Sequence, residues 1–225
     1  NITKAIFYID KALESKNKLN PKSQILLYES AGKIYRANGE YIQALNFFKQ
    51  QLQLQKSIAP EDAYYIYNEI GIVYTRLNNP KLALDNFTKS LDGLQKQKSK
   101  NNETLIYNVL NNMAVLELNN GNIIKALEIF TKCRDLSKKN KDYQGLVMSY
   151  QNMSIANTQL KEYDLSLKYF HLAKHMANKH SLNFDYTSVN YNLGFLYNHN
   201  LNNSDSAKYY LNKSFELAKK HQFPM

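Results

Sequence analysis

The chain has 225 residues, 44% of them hydrophobic, with a mean hydropathy of −0.55 and a formal net charge of +10. Only 7 Gly and 4 Pro argue against a turn-rich all-β architecture, and no apolar run approaches the roughly 18–20 residues needed to cross a bilayer. The single cysteine, Cys133, excludes an intramolecular disulfide and a cysteine-rich metal site, so packing must hold the fold.

The basic excess would suit nucleic acid or an anionic surface, but its placement points elsewhere. Lys96, Lys98 and Lys100, then Lys138, Lys139 and Lys141, then Lys219 and Lys220 gather near the ends of predicted helices. There they complement the negative end of the helix dipole, and nucleic acid is not the expected partner. The chain opens on Asn1 rather than a methionine, which reads as a processed or excised start. The compartment is therefore left open: the cytoplasm fits slightly better, and a periplasmic setting would need a signal sequence ahead of Asn1.

Taken in order, residues 1–18 read as a lone second helix, with Ala5, Ile9 and Ala12 on its apolar stripe. Residues 22–57 read as a helix pair that starts beside Pro21 and turns at Gly39. Residues 61–98 form the next pair, opened by Pro60-Glu61-Asp62 as a helix N-terminus and broken at Asn78-Asn79-Pro80. The pairs at 103–140 and 143–180 turn near Asn119–Asn122 and near Lys161-Glu162. The last, 184–221, has a turn about one residue longer, with Ser204 or Asp205 as its expected cap.

The units register on a small residue in each first helix: Gly32, Gly71, Ala114, Ser154 and Gly194, spaced by roughly 40 residues. A bulky residue follows about sixteen positions later at Phe48, Phe87, Phe130 and Phe170, with Leu211 in the last unit. A tyrosine recurs before and after the small residue, as Tyr28 and Tyr35 or Tyr67 and Tyr74. Alanines at 44, 83, 126 and 207 complete the pattern. These residues resemble the tetratricopeptide repeat over essentially the whole chain.

The resemblance implies an all-α, right-handed α-solenoid of stacked antiparallel helix pairs, a single superhelix over residues 1–225. The units exceed the usual 34-residue repeat by about six residues. That excess lies between the phenylalanine and the next first helix, so longer helices are expected. Such long repeats are similar to those of kinesin light chains and of bacterial peptide-sensing regulators. Two positions depart from the pattern: Glu117 and Asn157 stand where a tyrosine is usual, and polar groups in packed sites need partners.

In a stack of this kind the inner, concave face is built from first helices. Two residues before each small residue lie Ser30, Glu69, Asn112, Asn152 and Asn192; the last three form a carboxamide row. An amide both donates and accepts, so such a row can grip an extended peptide backbone, the role the resemblance implies for asparagine here. Asn68, Asn108, Asn111, Gln151 and Tyr191 adjoin it, with Ile72, Val115, Ile155 and Phe195 one turn along. The mixture suits an uncharged or amphipathic segment and lacks the paired basic residues of the chaperone-binding relatives.

No glycine-rich phosphate loop, nucleophile motif or paired-carboxylate site appears, and His171, His175 and His180 read as surface histidines. No cofactor or metal is expected. The expectation is a noncatalytic protein- or peptide-binding module, the sensory or interaction region of a bacterial signalling or transcriptional regulator. The alternative is a scaffold that stacks or homo-oligomerises through its exposed ends, since no polar capping helix follows Lys220.

Overall fold

The computed structural model describes residues 2–97 and 102–223. Lys98 and Lys100 of the first basic cluster lie outside that range. Among the described residues there are eleven α-helices: α1 (Ile2–Glu14), α2 (Pro21–Ala37), α3 (Tyr41–Ile58), α4 (Tyr64–Arg76), α5 (Pro80–Lys96), α6 (Glu103–Asn119), α7 (Ile123–Asn140), α8 (Tyr143–Gln159), α9 (Tyr163–Lys179), α10 (Asn183–His199) and α11 (Ser204–His221). No described residue is in a strand. The helices gather into two compact units, Asn1–Asn112 and Met113–Met225, with the division falling inside α6.

In the first unit, α2 pairs with α3 and α4 with α5, while α3 packs on α4 and α1 on α2. Its core joins Ala44, Leu45 and Phe48 of α3 to Ile66, Ile70 and Val73 of α4. The lone α1 is held by Ile9 against Leu27 and Ala31, and by the Tyr35 hydroxyl, which donates to Asp10 Oδ1 at 2.5 Å. In the second unit, α8 pairs with α9 and α10 with α11, while α7 packs on α8 and α9 on α10. Val147, Tyr150, Phe170, Ala173, Val189 and Leu193 form its centre.

The α2/α3, α4/α5 and α10/α11 pairs close over the glycine of their first helix. A Cβ added at Gly32 would stand 2.5 Å from Phe48 Cε1, and one at Gly71 would stand 2.6 Å from the Phe87 ring. At Gly194 the clash would be with Leu211 Cγ, at 2.7 Å. Both phenylalanines are essentially inaccessible to solvent. In the α8/α9 pair the small residues are serines, and hydroxyls replace part of the apolar contact. Ser154 Oγ donates to the Ser166 carbonyl at 2.6 Å, and the Thr158 and Ser166 hydroxyls lie 2.7 Å apart. Around the wedge, aromatic rings stack between partner helices: Tyr28 on Phe47, Tyr150 on Tyr169, and Tyr197 on Tyr210.

The extra length of the repeat sits in the second helices. These are 17 or 18 residues long and run nine or ten residues past the buried phenylalanine. The turns share one device. A residue in the left-handed region, Gly39, Asn78, Gly121 or Lys161, lets the next N–H reach back to a first-helix carbonyl. Those bonds run Glu40 to Tyr35, Asn79 to Tyr74, Asn122 to Glu117 and Glu162 to Asn157, each at 2.9 Å, and satisfy carbonyls that the helix end leaves open.

Two local expectations are corrected. Pro60–Asp62 forms a separate 3-10 turn, and α4 starts only at Tyr64, which leaves it four residues shorter than the 17-residue α2, α6, α8 and α10. The cap of α11 is Asn203, whose side chain accepts the Ser206 N–H at 2.9 Å, rather than Ser204 or Asp205. The Asn203 side chain closes the turn first, so Ser204 is already helical. Asn20 and Asn79 cap α2 and α5 in the same way, each followed by proline at the first helical position.

Gly71→Ala inserts a methyl against the Phe87 ring. Overpacking of this kind costs about 1–3 kcal/mol. Urea unfolding of Gly71→Ala is expected to show that loss with an unchanged m-value; a midpoint equal to that of the parent would contradict the wedge.

Candidate functional site: the carboxamide faces of the first helices

In the first unit, α4 and the part of α6 up to its middle bring Asn68, Asn108 and Asn112 onto one surface. Asn112 Nδ2 donates to Asn68 Oδ1 at 3.1 Å, so two predicted site residues from successive repeats bond each other. Asn108 is exposed, and Asn68 and Asn112 are half-buried. Asn68 and Asn108 line a cleft of about 260 Å³ with Tyr65, Glu69, Ser90 and Leu105. Glu69, which interrupts the asparagine row, faces the Arg36 guanidinium of α2 at 3.3 Å. Glu29 and Lys33 at the same cleft pair with each other along α2.

In the second unit the same relation recurs between α8 and α10. Asn192 Nδ2 donates to Gln151 Oε1 at 3.0 Å, and Ser188 Oγ reaches the same oxygen at 3.4 Å. Gln151 is buried, Asn192 half-buried and Tyr191 54% exposed. A cleft of about 330 Å³ opens beside them, lined by Ile155, Thr158 and Gln159 of α8 and by Tyr191, Asn192 and Phe195 of α10. Asn111 and Asn152 are half-buried and engaged in interactions of their own.

The carboxamide row is thus partly committed to the protein. The donating amide sits two positions before the small residue and the accepting amide three positions before it, one repeat earlier. An asparagine side chain carries two N–H bonds and an oxygen with two lone pairs, so one internal bond fixes its orientation and leaves capacity for a ligand. Sequence reasoning named these residues but not their pairing, which depends on the rotation between successive first helices. It also passed over Ser188, Thr158 and Gln159. The signal available for those was their helical spacing from Gln151, Tyr191 and Ile155.

The two departures from the repeat pattern are structural. Glu117 is buried at 3% exposure, where its carboxylate takes Lys125 Nζ at 2.6 Å and Asn122 Nδ2 at 2.7 Å. Burial alone would raise its pKa. The bonds from Lys125 and Asn122, with the lysine charge, outweigh that and hold it below the ordinary 4.5. Asn157 Nδ2 donates to the Met153 carbonyl at 2.7 Å within its own helix. Lys33, Lys89 and Lys125 are each paired with a carboxylate close in sequence.

Cys133 is fully buried, and burial pushes its thiol up to about 12, far from a reactive thiolate. His171 and His175 are exposed, while His180 stacks on Tyr143 with ring centroids 3.5 Å apart. Among the described residues no group of three or more His, Cys, Asp or Glu could hold a metal ion, and no helix is long and apolar enough to cross a membrane.

These features define a helix-pair repeat protein whose first helices present paired carboxamides beside open clefts. Residues 3–96 match one tetratricopeptide-repeat family model and residues 187–221 match a second, together more than half of the chain. The chain belongs to the tetratricopeptide-repeat family. No curated protein matches it in sequence.

Among solved structures, it is similar to the apo form of RapI, with 19% identity over 93% of this chain and 58% of that one, at a TM-score of 0.73. Aspartyl phosphate phosphatase F from Bacillus subtilis is similar at 14% identity, covering 95% of this chain and 56% of that one, with a TM-score of 0.80. NprR in complex with its cognate peptide NprX is similar at 18% identity, covering 97% and 62%, with a TM-score of 0.73. The chain therefore spans somewhat over half the length of each of these proteins, and at such identities the likeness is one of fold.

The Glu117 site yields a pH dependence with a definite sign. A carboxylate whose folded pKa is depressed adds stability above its unfolded pKa and loses it as pH falls through the folded value. Glu117→Gln is expected to flatten the acid limb of the stability–pH curve below about pH 4.5. Lys125→Ala is expected to cost about 1–2 kcal/mol at neutral pH, a value discounted for the lysine's exposure. Parallel acid limbs for Glu117→Gln and the parent in urea titrations would contradict the assignment.

Proposed function

We propose that this chain is a noncatalytic peptide-binding module, the sensory or interaction region of a bacterial signalling regulator. Each unit holds an extended segment against its first helices, the first through Asn68, Asn108, Asn111 and Asn112 and the second through Gln151, Asn152, Tyr191 and Asn192. One observation carries the reading: in both units an amide of one first helix is held by an amide of its neighbour, beside an open cleft. Amides oriented in this way cost less entropy to engage than free ones, because their rotamers are already restricted. The similarity of fold to NprR, whose structure contains its cognate peptide, supports the same class of ligand.

The clefts are suited to recognition and poorly suited to catalysis. A carboxamide neither gives up nor takes a proton in the physiological range, so it can orient a peptide bond but cannot act as a general acid or base. Backbone recognition by amides leaves sequence selectivity to neighbouring side chains, which differ between the units. Charged Glu29, Lys33 and Glu69 border the first cleft; Ile155, Tyr191 and Phe195 border the second.

The test is a chain with Asn112, Asn152 and Asn192 all replaced by Ala. For a peptide selected from a random display library against the parent, affinity is expected to fall about 10- to 100-fold, one to two hydrogen bonds to polar groups. The helical circular dichroism should be retained. Unchanged affinity in this variant would overturn the amide grip.

A further inference from the structure

The cleft between α8 and α10 has a character that amides alone do not explain. Three large apolar side chains stand open around it: Ile155 at 37% exposure, Tyr191 at 54% and Phe195 at 50%. The floor is apolar too, formed by buried Phe170 and Leu196. Large apolar groups held together in water at a concave site mark a surface that gains from being covered.

Charge sharpens the choice of occupant. In a chain of net charge +10, the lining holds no ionised side chain. Its polar groups are the hydroxyls of Thr158 and Tyr191 and the amides of Gln159, Asn192 and Asn200. A charged group seated there would leave water without a counter-ion, which is strongly unfavourable. The space is sufficient for a ring: an apolar cavity of about 150 Å³ accepts benzene, and this one is about 330 Å³.

The walls are also restrained. His199 lies one turn along α10, its ring 4.2 Å from that of Phe195, and Asn192 is tied to Gln151. In the first unit the register equivalent of Ile155 and Phe195 is Ile72, which is half-buried, and the cleft there carries Glu29, Lys33 and Glu69.

We infer that the α8–α10 cleft is a side-chain pocket for a bulky uncharged apolar residue (Leu, Ile, Met or Phe) of an extended peptide whose backbone is held by the adjoining amides. This rests on the peptide-binding reading above and adds a selectivity that reading does not contain. Ile155, Tyr191 and Phe195 grip the side chain; Asn192 meets the main chain. Acidic or basic residues are rejected at that position because nothing in the pocket pairs with them.

The test pans a random dodecapeptide display library against the full chain and synthesises the enriched sequences. These are expected to share Leu, Ile, Met or Phe at one position. Replacing that residue by Ala should weaken binding by about 10-fold or more, and replacing it by Asp by about 100-fold. Phe195→Asp should lose affinity to a similar degree, whereas Phe195→Leu should stay within about threefold. Both variants should melt with the parent, since Phe195 is half exposed. The Ala-substituted peptide should no longer distinguish Phe195→Ala from the parent, because the lost contacts are shared.

Enriched peptides with no fixed apolar position, or bound equally by Phe195→Asp, would overturn the pocket and leave peptide binding standing. A library that yields no binder would overturn both.

Discussion

The close approach of two helices at a residue without a side chain is the constraint on which the rest depends. Where Gly32 and Gly71 meet Phe48 and Phe87, the ring occupies the space a Cβ would need. Such contact removes the ring wholly from water, and truncating a phenylalanine of this kind costs about 3–5 kcal/mol. Repeated along the chain, the wedge sets how each pair closes, which face of the first helix is covered, and which is left over. The donating carboxamides lie two residues before the wedge residue, so helical periodicity turns them away from the partner helix, while the accepting ones, three residues before it, flank the wedge.

The binding face is best understood as a compromise between stacking and recognition. Asn112 on Asn68 and Asn192 on Gln151 join successive first helices within each unit. A neutral hydrogen bond adds only about 0.5–1.5 kcal/mol net, too little to be the main source of stability. Its larger effect is on geometry: it restricts side chains that would otherwise rotate freely, and it presents them in one orientation. A row of wholly unpaired amides would offer more bonds to a ligand but would pay more entropy to make them. Glu117 shows the opposite extreme, a polar side chain whose partners, Lys125 and Asn122, lie within its own helix pair.

Much of this was legible in the sequence because the determining features are local and repeated. Gly32 and Gly71 with the phenylalanines sixteen residues on, Gly194 with Leu211, and the breaks at Gly39 and Asn78–Pro80 define helix pairs by spacing alone. The longer last turn was visible as well. The cap at Asn203 was not, since choosing among adjacent Asn, Ser and Asp requires knowing which residue leaves the helix first. Nor was the 3-10 turn at Pro60–Asp62, because proline followed by acids suits either kind of helix start. Site residues were legible as a face and illegible as a network. Which amide bonds which depends on the rotation between successive repeats, and the hydroxyl set of Ser154, Thr158 and Ser166 depends on how closely α8 and α9 approach. The apolar pocket combined residues read in sequence as a minor fringe, Ile155 and Phe195, with exposure that only packing decides.

The central claim is that the paired amides of the first helices contact the ligand, and nitrogen-15 NMR reads it directly. The side-chain NH₂ resonances of Asn112 and Asn192 should shift and gain protection from solvent exchange when a selected peptide is added. Amides on second helices, such as those of Asn46 and Asn178, should stay in place. Saturating peptide that leaves the Asn112 and Asn192 resonances unmoved would contradict the account.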